Sequence, residues 1–270
     1  MSIVVGVIVR KIKDKIYADT GRLNVRLNDK VIVETEDGLE SGIVCAKEKY
    51  TQRDKFHSIG RIFRKVNYED KKKIADNEYK STEAYKIVAQ QVLNHKLDMN
   101  LTCVQYTFDC SKLFIYYTSE TRVDFRELIK DLGHVLKTRI QMVQIGVRDE
   151  SKIIGGIGIC GGVLCCKNFL KDFSSVTIDM AKDQGLSLNT EKLSGLCGRL
   201  MCCIAYENDT YKNVKSELPE LGSTISTPEG RAKLAAIDCI REKVTVDFGN
   251  KSFKFFTIKQ IKDKNKKVIK

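Results

Sequence analysis

Six cysteines in the middle of the chain occupy a motif that is written twice. Gly158 to Cys166 reads GICGGVLCC, and Gly195 to Cys203 reads GLCGRLMCC. Each copy, here called a frame, has one cysteine, four intervening residues and then two adjacent cysteines. Thiolates on glycine-rich backbone are soft ligands that suit zinc or an iron–sulfur cluster. The repeat therefore predicts a metal site.

Ligand spacing and ligand number favour an iron–sulfur cluster but leave zinc open. The C-x4-C spacing from Cys160 to Cys165 occurs in plant-type iron–sulfur loops, whereas structural zinc sites commonly use C-x2-C. One cubane cluster takes four thiolates and two take eight, while the frames supply six. Either one cluster leaves thiols over, or two clusters are completed by other chains. A cluster shared between subunits is the preferred prediction.

Two other uses of the frame cysteines remain as alternatives. They can be buried small residues in two related loops, or they can form a thiol redox catalyst, although the chain contains no Cys-x-x-Cys. Outside the frames, Cys45, Cys103 and Cys239 lie in apolar or strand-like segments and are predicted to be buried thiols. Three scattered histidines, no phosphate-binding loop and no nucleophile elbow predict that the chain is not an enzyme.

The charge of the chain favours acidic partners. Its formal net charge is +12, and six lysines crowd the last twelve positions: Lys259, Lys262, Lys264, Lys266, Lys267 and Lys270. This surface suits RNA, an acidic protein or an anionic membrane. No base-stacking aromatic residue visibly alternates with the tail lysines, so a merely solvated surface is an equal alternative. The apolar opening stretch is too short to span a bilayer and its positive charges follow it, so no secretory signal is expected.

The segments that position the frames predict an α+β fold, with small β-barrel-like modules at both ends of a central α+β domain that carries two cysteine-rich loops. Strands are expected at 4–9, 30–35, 39–47, 102–108, 113–118 and 140–147, and helices at 68–97, 125–136 and 175–184. The first frame is expected in a loop directly after the strand 140–147. Val33–Gly38 and Ile225–Gly230 read as matching strand–turn–strand segments. The predicted domains are a β-rich module (1–66), the central domain with the GxCGxxxCC loops (67–215), a second β-rich module (216–258) and a basic tail (259–270).

The motif residues also resemble a known family. CGGVLCCKNFL, LNTEKLSGLCGRLMCCIAYE and the early segment NDKVIVETEDGLESGIV are similar to the polymerase-suppressor C-terminal domain family, over nearly the whole chain to Phe256. The resemblance implies a non-enzymatic subunit that joins RicA-like and RicF-like helical partners in a cytosolic complex carrying [4Fe-4S] clusters. The implied ligand pool is Cys160, Cys165, Cys166, Cys197, Cys202 and Cys203.

The resemblance further implies a regulatory role. Such a complex acts with ribonuclease Y in messenger-RNA maturation and supports the phosphorelay that governs sporulation, competence and biofilm formation. A cytoplasmic location follows, with membrane association only through ribonuclease Y, since no transmembrane segment is expected. The rival hypothesis is a zinc-stapled protein that binds RNA directly through its barrels and basic surface.

Overall fold

The chain contains both helices and strands, largely in separate runs, and the predicted α+β class is confirmed. The computed structural model describes residues 3–9, 15–49, 59–170, 173–249 and 252–265. It divides the chain into two compact units, Met1–Lys171 and Asp172–Lys270. The four predicted domains, with boundaries after residues 66, 215 and 258, stay a prediction.

A closed barrel of five strands begins the first unit, as predicted for this end of the chain. Its strands are β1 (Ile3–Ile8), β2 (Ile16–Asp19), β3 (Lys30–Thr35), β4 (Gly38–Lys49) and β5 (Ile59–Lys65). They close in the order β1-β2-β5-β3-β4. Alternate valines of β1 and β3 (Val5, Val7, Val31 and Val33) are fully buried in its centre, because successive side chains of a strand point to opposite faces. β2 and β5 were not among the predicted strands.

A three-stranded sheet with two helices follows the barrel. Its elements are α1 (Tyr68–Asn94), β6 (Asn100–Tyr106), β7 (Lys112–Thr118), α2 (Arg126–Leu136) and β8 (Arg139–Gln144), and the strand order is β6-β7-β8. The central strand β7 is buried from Leu113 to Thr118. Leu113 and Ile115 pack against Val88 of α1 and against Leu128 and Leu132 of α2. The helix and hairpin predicted here are present.

The predicted strand over 140–147 ends early, and a helix stands between it and the first frame. β8 stops at Gln144, and α3 (Val147–Ile154) precedes α4 (Cys165–Asn168). Gly146 is extended and begins α3, whose first turn carries Asp149 and Glu150. Acidic residues favour a helix start, so the sequence contained a helix signal that the apolar alternation before it masked.

Among its described residues, the second unit contains three helices before its sheet: α5 (Ile178–Asp183), α6 (Thr190–Leu193) and α7 (Cys202–Ser216). The sheet strands are β9 (Thr224–Thr227), β10 (Gly230–Asp238), β11 (Lys243–Asp247) and β12 (Phe253–Thr257), followed by α8 (Ile258–Asn265). The predicted helix over 175–184 is present but shorter. Of the predicted basic tail, residues 266–270 lie outside the described residues.

The end module of the second unit is β-rich as predicted, but it is not a closed barrel. Its four strands form an antiparallel sheet in the order β12-β11-β10-β9. Helix α8 packs against β9 and β12 and buries Ile258 and Ile261 against the core residues Leu234, Val244 and Val246. The helix thus covers one face of the sheet, and β9 and β12 remain separate edges.

The two hairpins that looked alike in the sequence share one geometry. The Thr35 hydroxyl donates to the Gly38 carbonyl (3.0 Å) and accepts from the Asp37 N–H (3.3 Å). The Thr227 hydroxyl donates to the Gly230 carbonyl (2.7 Å) and accepts from the Glu229 N–H (3.2 Å). The predicted strand–turn–strand match is therefore confirmed, down to its threonine side chain.

Asp70 joins the barrel to α1, and its substitution has a predictable effect. Its backbone N–H donates to Asn67 Oδ1 (2.8 Å), its carboxylate accepts from the Asn67 N–H (2.9 Å), and it pairs with Arg64 of β5. Asp70 is 4% exposed. We expect Asp70→Ala to lower the free energy of unfolding by about 2 kcal/mol, because it removes a helix cap and a charged hydrogen bond.

The stabilisation by Asp70 is expected to depend on pH. The Arg64 hydrogen bond lowers the pKa of the Asp70 carboxyl, against the opposing effect of burial. The stabilisation is therefore full above the unfolded-state pKa, about 4, and is lost as pH falls through the lowered folded-state pKa. Urea unfolding of wild type and Asp70→Ala across this range measures the difference. Glu69→Ala, at the exposed neighbouring position, is the control. If Asp70→Ala stays less stable than wild type by the same amount at acid pH, the ionised carboxylate is not the source of the stabilisation.

Candidate metal centre

The first frame is a tight turn that leads into a helix. Ile157 and Val163 form an antiparallel bridge, and the Gly158 N–H donates to the Gly162 carbonyl (2.8 Å). Gly161, with φ at 81°, closes the turn by donating to the Gly158 carbonyl (2.9 Å). A side chain at a positive φ is strained. The glycines therefore hold Cys160 on a compact turn just before the adjacent pair Cys165 and Cys166.

The second frame repeats this turn thirty-seven positions later along the chain. Ser194 and Leu200 form the bridge, and the Gly195 N–H donates to the Arg199 carbonyl (2.8 Å). Gly198 has φ at 71° and donates to the Gly195 carbonyl (3.0 Å). The duplicated letters therefore encode one duplicated backbone structure. This match argues for a built site more strongly than the repeated cysteines alone.

The adjacent cysteines begin a helix in both frames. Cys165 and Cys166 are the first residues of α4, and Cys202 and Cys203 are the first residues of α7. The predicted loops therefore hold only the first cysteine of each frame. Backbone N–H groups of a first helical turn have no partner within the helix, and they can donate to thiolate sulfur. Sequence reasoning did not identify these helix starts.

Local packing anchors each frame within its own unit. In the first unit, α3 packs against α4, and Lys167 Nζ donates to the Ile153 carbonyl (3.1 Å). In the second unit, Ile204 of α7 is buried with Ala181 and Leu193. The first turn is thus supported by a neighbouring helix and the second by a small core, in addition to their own hydrogen bonds.

The frame cysteines differ in exposure. Cys160 is exposed, Cys166 is buried, and the other four (Cys165, Cys197, Cys202 and Cys203) are half-buried. Large apolar side chains around the turns face solvent: Ile157, Ile159 and Val163 are 66%, 69% and 55% exposed. Leu196 of the second frame is 64% exposed. Each turn therefore presents thiols within an apolar surface.

The donor set fits a soft metal, but one frame by itself is an incomplete site. Thiolates on a turn followed by a helix start are chemically suited to zinc or to an iron–sulfur cluster. Within the described ranges, no three cysteine, histidine, aspartate or glutamate side chains group closely enough to hold a metal ion. Each frame has three cysteines, so a four-thiolate centre at either frame would need a ligand from outside that frame.

Of the three cysteines outside the frames that were predicted to be buried, one is buried, one is half-buried and one is exposed. Cys239 is buried, and burial raises the pKa of its thiol. Cys103 is half-buried, and the prediction for Cys45 was wrong: its thiol is on an exposed residue and donates to the Gly6 carbonyl (3.3 Å). Cys110 donates to Asn77 Oδ1 (3.1 Å). Cys45 is therefore a suitable control thiol outside the frames.

Comparison with known families matches two regions of the chain. A family described as "PSP1 C-terminal conserved region" matches residues 60–145, and one described as "PSP1-like protein, third domain" matches residues 175–218. The second match contains the second frame, and the first frame lies between the two matched regions. The resemblance indicated by the motifs is confirmed.

Individual proteins extend this similarity to most of the chain. The chain is 43% identical to the "Stage 0 sporulation protein YaaT" of Bacillus subtilis over 92% of its own length and 90% of that protein. It is 28% identical to the "Uncharacterized protein PB7E8.02" of Schizosaccharomyces pombe, over 49% of this chain and 22% of that protein. It is 44% identical to "Protein PSP1" of Saccharomyces cerevisiae, over 18% of this chain and 6% of that protein. No solved structure matches the chain.

Proposed function

This chain belongs to the PSP1 family, and we propose on that basis that it is a non-enzymatic adaptor that carries iron–sulfur in a regulatory complex. The observation that carries the proposal is the pair of frames with matching turns and matching hydrogen bonds. Six thiols on two matching turn–helix segments are a binding feature, and the sequence contains no catalytic motif beside them.

The proposed complex contains RicA-like and RicF-like helical subunits. Each frame has three cysteines, one fewer than a four-thiolate centre takes, which supports a ligand from another chain. The exposed apolar side chains around Cys160 support the same idea, because apolar surface next to a binding site is typical of protein interfaces. In this complex Cys160, Cys165 and Cys166, or Cys197, Cys202 and Cys203, bind a [4Fe-4S] cluster together with partner thiolates.

The proposed role is that of a specificity factor for ribonuclease Y in messenger-RNA processing. The similarity to a stage 0 sporulation protein over nearly both full lengths supports a role in sporulation, and we extend it to the phosphorelay, competence and biofilm formation. The net charge of +12 supports a contact with RNA. The complex is cytoplasmic and meets the membrane only through ribonuclease Y. No helix within the described residues is long and apolar enough to cross a membrane.

Metal analysis of the assembled complex tests the proposal. We expect the full chain, co-expressed with RicA-like and RicF-like subunits and purified without oxygen, to give a brown complex that contains iron and acid-labile sulfide. The isolated chain should contain less of both, because partner thiolates would be missing. A colourless complex with stoichiometric zinc would instead support the zinc-stapled alternative and reject the cluster.

A further inference from the structure

Two phenylalanine rings face solvent on the edge strand of the C-terminal sheet. Phe253 and Phe255 of β12 are 55% and 71% exposed, whereas Phe256 of the same strand is 8% exposed. Side chains two positions apart on a strand share a face and lie about 7 Å apart. The two rings therefore form an open aromatic pair on the face opposite α8 and the core.

The sheet register places basic and hydroxyl side chains on the same face. Thr245 of β11 is opposite Phe255, and Lys243 is opposite Thr257. Lys233 of β10 is opposite Asp247, which is itself opposite Phe253. Arg231 lies two positions before Lys233. Directly opposed residues in antiparallel strands share a face, so this surface, here called the aromatic face, combines rings, cations and hydroxyls.

The carboxylates of the aromatic face have local partners. Asp247 Oδ1 accepts from the Gly249 N–H (2.8 Å), and Asp238 accepts from the Arg241 N–H (2.9 Å) and lies 3.9 Å from Arg241 Nε. Arg231, Lys233 and Lys243 are exposed, and none of the three forms an ion pair with a described residue. The cations are therefore available to an external anion.

We propose that the aromatic face binds single-stranded RNA, with bases stacked on Phe253 and Phe255 and phosphates contacted by Arg231, Lys233 and Lys243. This inference deepens the RNA-processing role proposed above and does not depend on a metal. In the sequence, no aromatic residues alternate with the tail lysines. In the sheet, the register of β10, β11 and β12 places two phenylalanines beside three other cations.

The composition of the face favours an unpaired nucleic acid over a protein. Exposed rings give every base a stacking surface without requiring a particular sequence, and cations beside them follow the phosphate backbone. A duplex hides its bases from such rings. Thr245 adds a hydroxyl that can hydrogen-bond to a base edge or to the ribose, whereas the Thr257 hydroxyl already donates to Gln260 Oε1 (3.1 Å). Protein interfaces are enriched in aromatic residues and arginine but depleted in lysine, so Lys233 and Lys243 beside the rings favour RNA.

Binding of a labelled oligouridylate of about 12 nucleotides to the isolated full chain tests the inference. We expect each of Phe253→Ala and Phe255→Ala to weaken binding at least about five-fold, and the double variant at least about 25-fold, because a stacked base contributes that much per ring. Phe255→Leu should lose affinity as Phe255→Ala does, because leucine has no ring to stack on, whereas Phe255→Tyr should keep the wild-type affinity. Lys233→Gln and Lys243→Gln should each reduce the salt dependence of binding by nearly one phosphate contact.

Controls separate this site from general electrostatic binding and from the proposed cluster. Tyr79→Ala removes a 70% exposed ring on α1 and should leave affinity unchanged. Thermal midpoints of the phenylalanine variants should match wild type, since both rings are exposed. Absence of binding at low salt, or equal binding by Phe255→Leu and wild type, would each overturn the inference. Wild type that forms dimers through this face, with Phe255→Ala monomeric but binding RNA as wild type does, would also overturn it. Iron and sulfide in the co-purified double variant should be unchanged, so failure here is distinct from failure of the cluster proposal.

Discussion

Cys165→Ser is expected to reduce iron and sulfide in the co-purified complex to about half of the wild-type content or less, and Cys202→Ser is expected to do the same. Each substitution removes the thiolate that begins a helix directly after its turn. A serine hydroxyl is a hard oxygen donor and a poor substitute for a soft thiolate at iron or zinc. Iron and sulfide per chain, and the visible absorbance of the complex, measure the effect.

The size of the effect in each frame reports how ligands are distributed. If the two frames serve separate clusters, each single substitution removes about half of the iron and the double substitution removes the rest. If one cluster depends on both substituted thiols, either substitution alone removes nearly all of it. Both results support cysteine ligation, because in both the loss follows the frames.

Cys45→Ser provides the matched control for a thiol outside the frames. Cys45 is exposed, and its thiol donates to the Gly6 carbonyl of the barrel. We expect this variant to keep its iron and sulfide. Loss of iron in Cys45→Ser equal to that in Cys165→Ser would show that the metal is not held by the frames. Unchanged iron in both Cys165→Ser and Cys202→Ser would contradict the proposed ligands directly.

Local signals explain the parts of the fold that sequence reasoning found. β1 and β3 are short runs rich in valine and isoleucine, and α1 has a long helical composition without glycine or proline. The Asp37–Gly38 turn and its relative at Glu229–Gly230 are written in adjacent residues. The duplicated frames are likewise local, since each turn is closed by hydrogen bonds within nine residues.

Features that depend on distant pairing were missed for a physical reason. β2 pairs in parallel with β5, which lies far along the chain, and no local pattern specifies that partner. The open C-terminal sheet differs from the predicted barrel because α8 supplies the covering face. The cysteine pattern identified the frames but not their helix starts, and the aromatic face became visible only when the strands were placed in register.

Asn77→Ala is expected to lower the free energy of unfolding by about 3 kcal/mol. Asn77 of α1 is 8% exposed, and its Nδ2 donates to the carbonyls of Thr107 (3.2 Å) and Phe108 (3.0 Å). Its Oδ1 accepts from the Cys110 thiol (3.1 Å). The substitution leaves buried acceptors without their donor, which costs more than the net energy of the lost bonds.

Asn77 is important because it holds the turn that contacts the barrel. The Phe108 N–H donates to the Leu39 carbonyl of β4 (2.9 Å), and Lys112 Nζ forms an ion pair with Asp37 Oδ1 (3.2 Å). Cys110, in the middle of the turn, has φ at 60°, a conformation that needs support from its surroundings. Urea and thermal unfolding measure the loss. Asn94→Ala, at an exposed position of the same helix, is the control and should change stability by less than about 0.5 kcal/mol.

Asn77→Asp distinguishes the hydrogen-bond donor from the shape of the side chain. The two side chains are nearly isosteric, but an ionised carboxylate would face two carbonyl oxygens without a donor. We expect this variant to be less stable than Asn77→Ala at neutral pH. It should recover as pH falls toward the ordinary carboxyl pKa, because the protonated side chain can again donate. A pH-independent loss, equal in the Asp and Ala variants, would mean that packing rather than donation holds the turn.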